Sequence, residues 1–344
     1  MKQTITQVIA LAAMLVVGTN LHATSWRVNS NTTRGANFAD INAAMSSADV
    51  QDGDTLYLDP GCNLSSTQNV TKCVTIIGTG FFHDLQQPYG YTTISGETYL
   101  KAAGCKIEGV IMGSTCNIAA DNVTIERCKI DCTNGLRTYG SNCKNAIIRN
   151  CWIDAYYEEI YGQGESSTNT TFWTIENNIF VGWWYNSCIS GLNSATIRNN
   201  YFYMDHDSDI FSYLINCEIT NNIIVNVKND RIYGGTFADI VFHHNVISTP
   251  ENTAYPNNKY INSKDQATIF MMSGTNDQQY RLCEGSPAKG YATDGGDCGP
   301  YGSGFTYVPG GLPLGLPYYT EATIGSMAHD GKVNVSLKIA VQDE

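Results

Sequence analysis

Charge is scarce in this chain: Asp, Glu, Lys and Arg together make up 15% of its 344 residues. A composition this poor in charge, and rich instead in Asn, Thr, Gly and Tyr, suits stacked strands and polar turns better than helices. What charge there is runs acidic, at −12, which argues against nucleic acid, whose binding rests on clustered Lys and Arg. It also weighs against a polyanionic glycan unless a divalent cation or a local basic patch mediates. Missing too is any apolar run long enough to span a bilayer. None of the twelve cysteines falls in a CxxC or Cys/His cluster of zinc-site spacing. Leucines spaced as in a leucine-rich repeat are absent.

The N-terminal residues have the layout of a secretory signal peptide, assigned to 1–23. Lys2 is followed by the short apolar run VIALAAMLVV (8–17) and by Leu21-His22-Ala23 at the cleavage point. An exported protein is expected: periplasmic, cell-surface or extracellular. About 320 residues then remain, enough for one large domain or one long solenoid. In that compartment Cys62 with Cys73, and Cys283 with Cys298, can close short loops near the two ends. Cys105, Cys116, Cys128, Cys143, Cys151 and Cys217 fall inside a repeat.

Seven segments share that repeat: KIEGVIM (106–112), TIERCKI (124–130), IIRNCWI (147–153), TIENNIF (174–180), TIRNNYF (196–202), EITNNII (218–224) and VFHHNVI (241–247). Anchored on the second residue of the central pair, they place Gly109, Cys128, Cys151, Asn178, Asn200, Asn222 and Asn245 in one column. The spacings are 19, 23, 27, 22, 22 and 23 residues. Three short strands and three turns per coil fit this period. At a tight bend Asn tolerates a left-handed backbone. With coils about 4.8 Å apart, its amide can also hydrogen-bond along the stack. Cys128 and Cys151 stand where Asn would and are expected to be free, buried thiols, because stacked strands rarely give disulfide geometry.

A second strand column precedes each motif: GLRTYG (135–140), EEIYGQ (158–163), SCISG (187–191), SDIFSY (208–213) and DRIYGG (230–235). Leu136, Ile160, Ile189, Ile210 and Ile232 align as inward residues. Alternation then turns two columns outward: Gly135, Glu159, Cys188, Asp209 and Arg231 on one side, and Arg137, Tyr161, Ser190, Phe211 and Tyr233 on the other. Both ends read as caps, as a solenoid requires. Residues 24–61 form the N-terminal cap, an amphipathic helix with Phe38, Ile41, Ala44 and Met45 on one face followed by GDTLYL as the first strand. The coils occupy 62–279, and a Gly-rich C-terminal cap covers 280–307. Residues 308–344 are a Pro/Gly linker and a β-hairpin, in which 319–327 face the alternating Val333, Val335, Leu337, Ile339 and Val341 across Asp330-Gly331. The fold class is therefore all-β: a single-stranded right-handed parallel β-helix with a capping helix and a short C-terminal hairpin.

These residues resemble the pectate-lyase-like superfamily of right-handed parallel β-helix proteins over about residues 38 to 302. The helix followed by GDTLYL is similar to that superfamily's N-terminal cap, and the TIxNNxF coils to its Asn-ladder rungs. RLCEGSPAKGYATDGGDCGPYG is similar to the ending of its exported Bacteroidetes-type members. The resemblance implies a glycan groove along one outward strand column and the loops before it, with a polysaccharide as partner and Ca²⁺ as the cofactor of its lyases. The fold also hosts hydrolases, epimerases and non-enzymatic adhesins.

The corresponding loops here are 154–165, 182–187, 203–209 and 227–233. Tyr156, Tyr157, Trp183, Trp184, Tyr185, Tyr203 and Tyr233, with Arg137, are the expected substrate-binding residues, since sugars pack their C–H faces on aromatic rings. Cover for the coil flank is the competing role for several of these rings. Asp205, Asp207 and Asp209 alternate and can ligate Ca²⁺ through oxygen. They lack the EF-hand's glycine and terminal glutamate. A pair of them can equally serve as acid and base in glycoside hydrolysis, or form a solvated loop. Arg231, Lys228, His206, Glu159 and Tyr161 are the catalytic candidates, although Arg231 can instead pair with Asp209. No lyase or polygalacturonase signature is matched residue by residue. His243-His244 is expected to line a turn, and Asp294 and Asp297 to cap turns. The expected function is a secreted, monomeric polysaccharide-acting protein, uronate lyase-like or glycoside hydrolase-like. The alternative is a non-catalytic glycan-binding or adhesin-like β-helix.

Overall fold

The repeat unit folds as three short strands separated by bends, and stacking these units produces three parallel sheets. The structure is a computed structural model describing residues 23–82, 90–140, 143–162, 170–182, 187–203, 207–226, 231–249, 255–261, 265–274, 276–315, 317–324 and 332–341. Among these residues the first sheet has ten strands, running from Ser25–Val28 to Val241–His243. The second also has ten, from Asn63–Leu64 to Lys259–Tyr260, and the third has eight, from Gln68–Val70 to Tyr233–Ala238. One coil visits them in turn: Thr124–Glu126, then Lys129–Cys132, then Leu136–Thr138, then Ile147–Arg149 one coil on. The chain is therefore an all-β parallel β-solenoid. No helix among the described residues is long and apolar enough to cross a membrane.

The interior is a stack of like residues. Ile107, Ile125, Ile148, Ile175, Ile197 and Ile219 lie opposite one another in successive first-sheet strands, and all are fully buried. The Asn column forms a continuous ladder at the bend between the first and second sheets. Asn178 Nδ2 donates to Asn200 Oδ1 at 3.0 Å, Asn200 to Asn222 at 3.0 Å, Asn222 to Asn245 at 3.0 Å, and Asn245 to Asn258 at 2.9 Å. Each side chain also donates to a backbone carbonyl of the preceding coil, such as Ile175 O for Asn200 at 2.9 Å. Asn258, in a further Asn257-Asn258 pair outside the seven repeat segments, extends the ladder by one rung.

Several expectations change. Glu108 lies opposite Glu126 and Ile111 opposite Lys129, so Val110, not Gly109, shares the anchor column with Cys128. The left-handed backbone belongs to the residue before the anchor: Gly109, Arg127, Asn150, Asn177, Asn199, Asn221 and His244 all have φ between 51° and 67°. In the third sheet Ile189 lies opposite Phe211, and Phe211 opposite Tyr233, one residue out of the expected register. Glu159, Cys188 and Phe211, expected outward, are fully buried. Ser187–Asn193 and Asp209–Ile215 are apolar in both phases, so alternation cannot choose between them.

At the N-terminal end the helix is only Ile41–Ser46, capped by Asp40 Oδ1 accepting from Ala43 N at 2.7 Å. Phe38 lies outside it, bridged to Val28. Ser25–Val28 precedes the TLYL strand in the first sheet and was not foreseen. All twelve cysteines are free. Cys128 and Cys151 are the expected buried thiols, whereas the expected end disulfides are not formed. Cys62 Sγ lies toward Ser30 Oγ at 3.9 Å, and Cys298 Sγ donates to His244 O at 3.4 Å, each away from its expected mate. The C-terminal hairpin is present, Pro317–Ile324 antiparallel to Val335–Val341.

Residues 265–274 and 276–315 wrap the outside of the coils. Ile269, Phe270, Tyr280 and Tyr307 pack on Trp152, Ile179, Tyr201 and Ile223, which point outward from the second sheet, as a second apolar cluster. The strap is then pinned along the left-handed column. Asn221 Oδ1 accepts from Thr293 N at 2.9 Å, Asn199 Nδ2 donates to Asp297 O at 3.4 Å, and Asn177 Nδ2 donates to Pro300 O at 3.0 Å. The first Asn of each pair thus holds the strap, while the second holds the ladder. Asp277, whose carboxyl is pushed up by burial, accepts from Gly310 N at 2.6 Å and fixes the strap's far end.

Candidate functional site

A cavity of about 520 Å³ opens at the bend between the second and third sheets. Its floor is one outward column, three residues beyond the anchor: Gly113, Asp131 and Asp154. Asp131 and Asp154 lie directly opposite each other on adjacent strands, so the two side chains rise from backbones about 5 Å apart, the spacing of neighbouring strands. Gly113 contributes no side chain, which leaves the floor open at one end. Thr133, Ala155 and Tyr156 form the wall toward the third sheet.

The two carboxyls differ in environment. Burial, reinforced by the neighbouring Asp131 charge, holds the Asp154 carboxyl above the usual carboxylate range. Asp131 is half-exposed, at 52%, and is oriented by Lys129 Nζ at 2.5 Å. Lys129 is itself steadied over the Phe82 ring, 5.1 Å from its centroid. One carboxyl is thus biased toward its protonated form beside a second that faces solvent and an ammonium. Cys132, also at the cavity, is a half-buried thiol pushed up to about 12 by desolvation.

The turn after Asp154 stacks on the coil below, with Tyr156 N donating to Cys132 O at 3.2 Å and Tyr157 N to Thr133 O at 3.0 Å. This sets Tyr156 and Tyr157 edge to face at 5.1 Å, both exposed. The same turn passes so close to Gly135 that a Cβ there would strike Glu159 O. On the third-sheet strands of these two coils, Arg137 lies opposite Tyr161. The Arg137 guanidinium covers that ring at 5.2 Å and donates from Nη2 to Glu158 Oε2 at 3.1 Å.

Of the sequence candidates, the fold therefore gathers Tyr156, Tyr157, Arg137 and Tyr161 on two adjacent coils. Glu159 does not join them: it is fully buried and its Oε1 accepts from Gly182 N at 3.2 Å, tying two coils together. Tyr203 packs against the apolar cluster beneath the strap. Tyr233 stacks on Phe237 at 4.5 Å and meets Tyr255 edge-on, covering the last coil. Arg231 takes the pairing role, donating to Asp209 Oδ1 at 3.1 Å, Asp209 Oδ2 at 3.3 Å and Asp207 O at 3.1 Å. A guanidinium thus already engages the Asp209 carboxylate that a Ca²⁺ would require. Among the described residues no group of three or more His, Cys, Asp or Glu side chains is arranged to hold a metal. Lys228, His206, Asp205, Trp183, Trp184 and Tyr185 lie outside the described residues. His243 and His244 line a turn, with their Nδ1 atoms 2.8 Å apart. Asp294 and Asp297 accept from Gly296 N and Gly290 N as turn caps.

Sequence reasoning missed Asp131 and Asp154. The signal was present as KIDC and WIDA, an aspartate recurring at one place in consecutive rungs. Against it stands the denser acidic run at 205–209, which dominates the acidic pattern of the sequence. No known family model matches the chain, and no curated protein matches it. Its class is defined by the fold: a parallel β-solenoid.

Proposed function

We propose that this is an exported polysaccharide-acting β-helix protein that hydrolyses a glycan in the cavity at the bend between the second and third sheets. The observation that carries the reading is the Asp131–Asp154 pair, two stacked carboxyls in which burial pushes Asp154 toward its protonated form. Retaining glycoside hydrolysis uses two carboxyl groups about 5–5.5 Å apart, and adjacent parallel strands supply about that separation. Asp154 donates its proton to the glycosidic oxygen as the bond to the anomeric carbon breaks. Asp131 attacks that carbon, and water then cleaves the glycosyl ester with Asp154 acting as base. Tyr156 and Tyr157 present ring faces to neighbouring sugars.

The signal-peptide layout and the resemblance to exported members of the pectate-lyase-like superfamily support a polysaccharide as substrate. The exposed tyrosine pair alone favours a second reading, a non-catalytic glycan binder. The test is release of new reducing ends from a panel of neutral and uronate polysaccharides, with Ca²⁺ and with EDTA. Activity in the wild-type protein that disappears in Asp154→Asn supports the hydrolase. Glycan binding without any cleavage supports the binder, and absorbance at 235 nm from unsaturated products would assign a lyase.

A further inference from the structure

The left-handed column that pins the strap loses its partners at one place. Asn177, Asn199 and Asn221 all bond to strap atoms, and at the other end a Cβ on Gly109 would strike the Pro313 ring. Between them stand Asn150 and Arg127. Asn150 is 1% exposed, yet its Oδ1 has no hydrogen-bond partner among the described residues. The Arg127 side chain is 6% exposed, and its Nε likewise has none. Such buried orphans are uncommon and call for an explanation.

Both line a cavity of about 690 Å³, where the strap segment Gly304–Pro309 bridges over the first sheet. Its volume lies within the range of about 300–1,000 Å³ that small-molecule sites occupy. The polar wall is a charge cluster. Glu126 accepts from Lys106 at 2.5 Å, Arg127 at 2.7 Å and Arg149 at 2.6 Å, while Glu108 meets Lys106 and Arg127, each at 2.8 Å. Three cations thus face two carboxylates, an excess of one positive charge. The opposite wall carries Phe305, whose ring stacks on the Arg149 guanidinium at 3.9 Å.

We propose that this cavity is a second ligand site, for a small hydroxylated monocarboxylate of about the size of one sugar acid. The carboxylate would accept from Arg127 Nε–H and cancel the excess charge. A hydroxyl would donate to Asn150 Oδ1, and the carbon face would rest on Phe305. The site lies on the strap-covered face, away from the Asp131–Asp154 cavity, and does not depend on that cavity being catalytic.

The test is calorimetric titration of the full chain with galacturonate and, as the neutral counterpart, galactose. Galacturonate is expected to bind and galactose not. Asn150→Asp keeps a residue that tolerates the left-handed backbone but adds a carboxylate, and should weaken galacturonate by about tenfold or more, since like charges at a binding site strongly disfavour association. Phe305→Ala, at a half-exposed position, should weaken it less with the melting temperature held. Asp154→Asn should leave it unchanged. Absence of galacturonate binding would overturn the proposal. So would binding that Asn150→Asp leaves intact, or a crystal soaked in galacturonate showing only water between Arg127 Nε and Asn150 Oδ1. Binding removed by Asp154→Asn but not by Asn150→Asp would place the ligand in the other cavity.

Discussion

The outer face at the bend between the first and second sheets and the outer face at the bend between the second and third both carry polar side chains, yet they use them differently. Along the first bend, Asn177, Asn199 and Asn221 are each consumed by the strap, and Lys106, Arg127 and Arg149 are held by Glu108 and Glu126 beneath it, with one cation in excess. At the second bend, Asp131 and Asp154 face a cavity that no strap residue lines among the described residues. Paired, covered polar groups specify how two segments dock. Two stacked carboxyls, one desolvated and the other held by Lys129, keep a proton ready for chemistry. The comparison separates polar groups that dock the strap from carboxyls left open for chemistry on one repeat.

The largest effect expected from breaking that contrast is on the open face. Asp154→Asn should lower glycan hydrolysis by about 10²–10⁴-fold, the usual contribution of a general acid, measured as reducing-end release at saturating substrate. Because the Asp154 carboxyl is raised, wild-type activity should fall as pH climbs through its folded-state pKa, where the proton is lost. A pH profile without that alkaline limb would contradict the assignment.

Next in size is the ladder that both faces share. Asn200→Ala leaves Asn178 N and Nδ2 without their acceptor inside the coil and should cost about 3 kcal/mol in urea unfolding, given about 1–3 kcal/mol per orphaned buried group. Cys128→Ala, in a rung anchored without Asn, should cost less. On the covered face Gly311 has φ 56°, and a Cβ there would strike the Phe81 ring and lie 2.6 Å from Arg127 O. Gly311→Ala should therefore lift the strap, costing about 1–3 kcal/mol. Faster proteolytic cleavage between residues 300 and 315, with the coils intact, would show it. The smallest effect expected is that of Arg231→Ala. Its pairing with Asp209 is exposed, and such pairs contribute under about 1 kcal/mol, so hydrolysis should be unchanged. Loss of activity there would move the site back to the acidic run at 207–209.

Much of this fold could be read from the chain. The ladder from Asn178 to Asn245 and the C-terminal hairpin follow from periodicity, because each repeated residue meets its own copy 22 or 23 positions away. The strap could not be read in that way. Asn177 bonds to Pro300 across 123 residues, and nothing in an Asn-Asn pair says that its first member faces outward to a distant segment. The third-sheet register was hidden for a different reason: Cys188 and Ile189 are both apolar and both buried, so neither phase stands out. The site was half legible. Tyr156 and Tyr157 follow from loop stacking, and Arg137 and Tyr161 from the outward strand column, and the fold puts them on two adjacent coils. Asp131 and Asp154 follow from neither, although they recur in register. The measure that mattered was burial, which separates Asp154 from the more numerous exposed carboxylates and which a sequence does not display.

The central claim is that Asp131 and Asp154 act as a retaining pair. Proton NMR of the first sugar released from whichever panel glycan is cleaved tests it directly. The account predicts that the new reducing end appears with the anomeric configuration of the bond broken, and that Asp154→Asn abolishes the signal. An inverted anomer, an unsaturated product, or undiminished turnover in Asp154→Asn would contradict it.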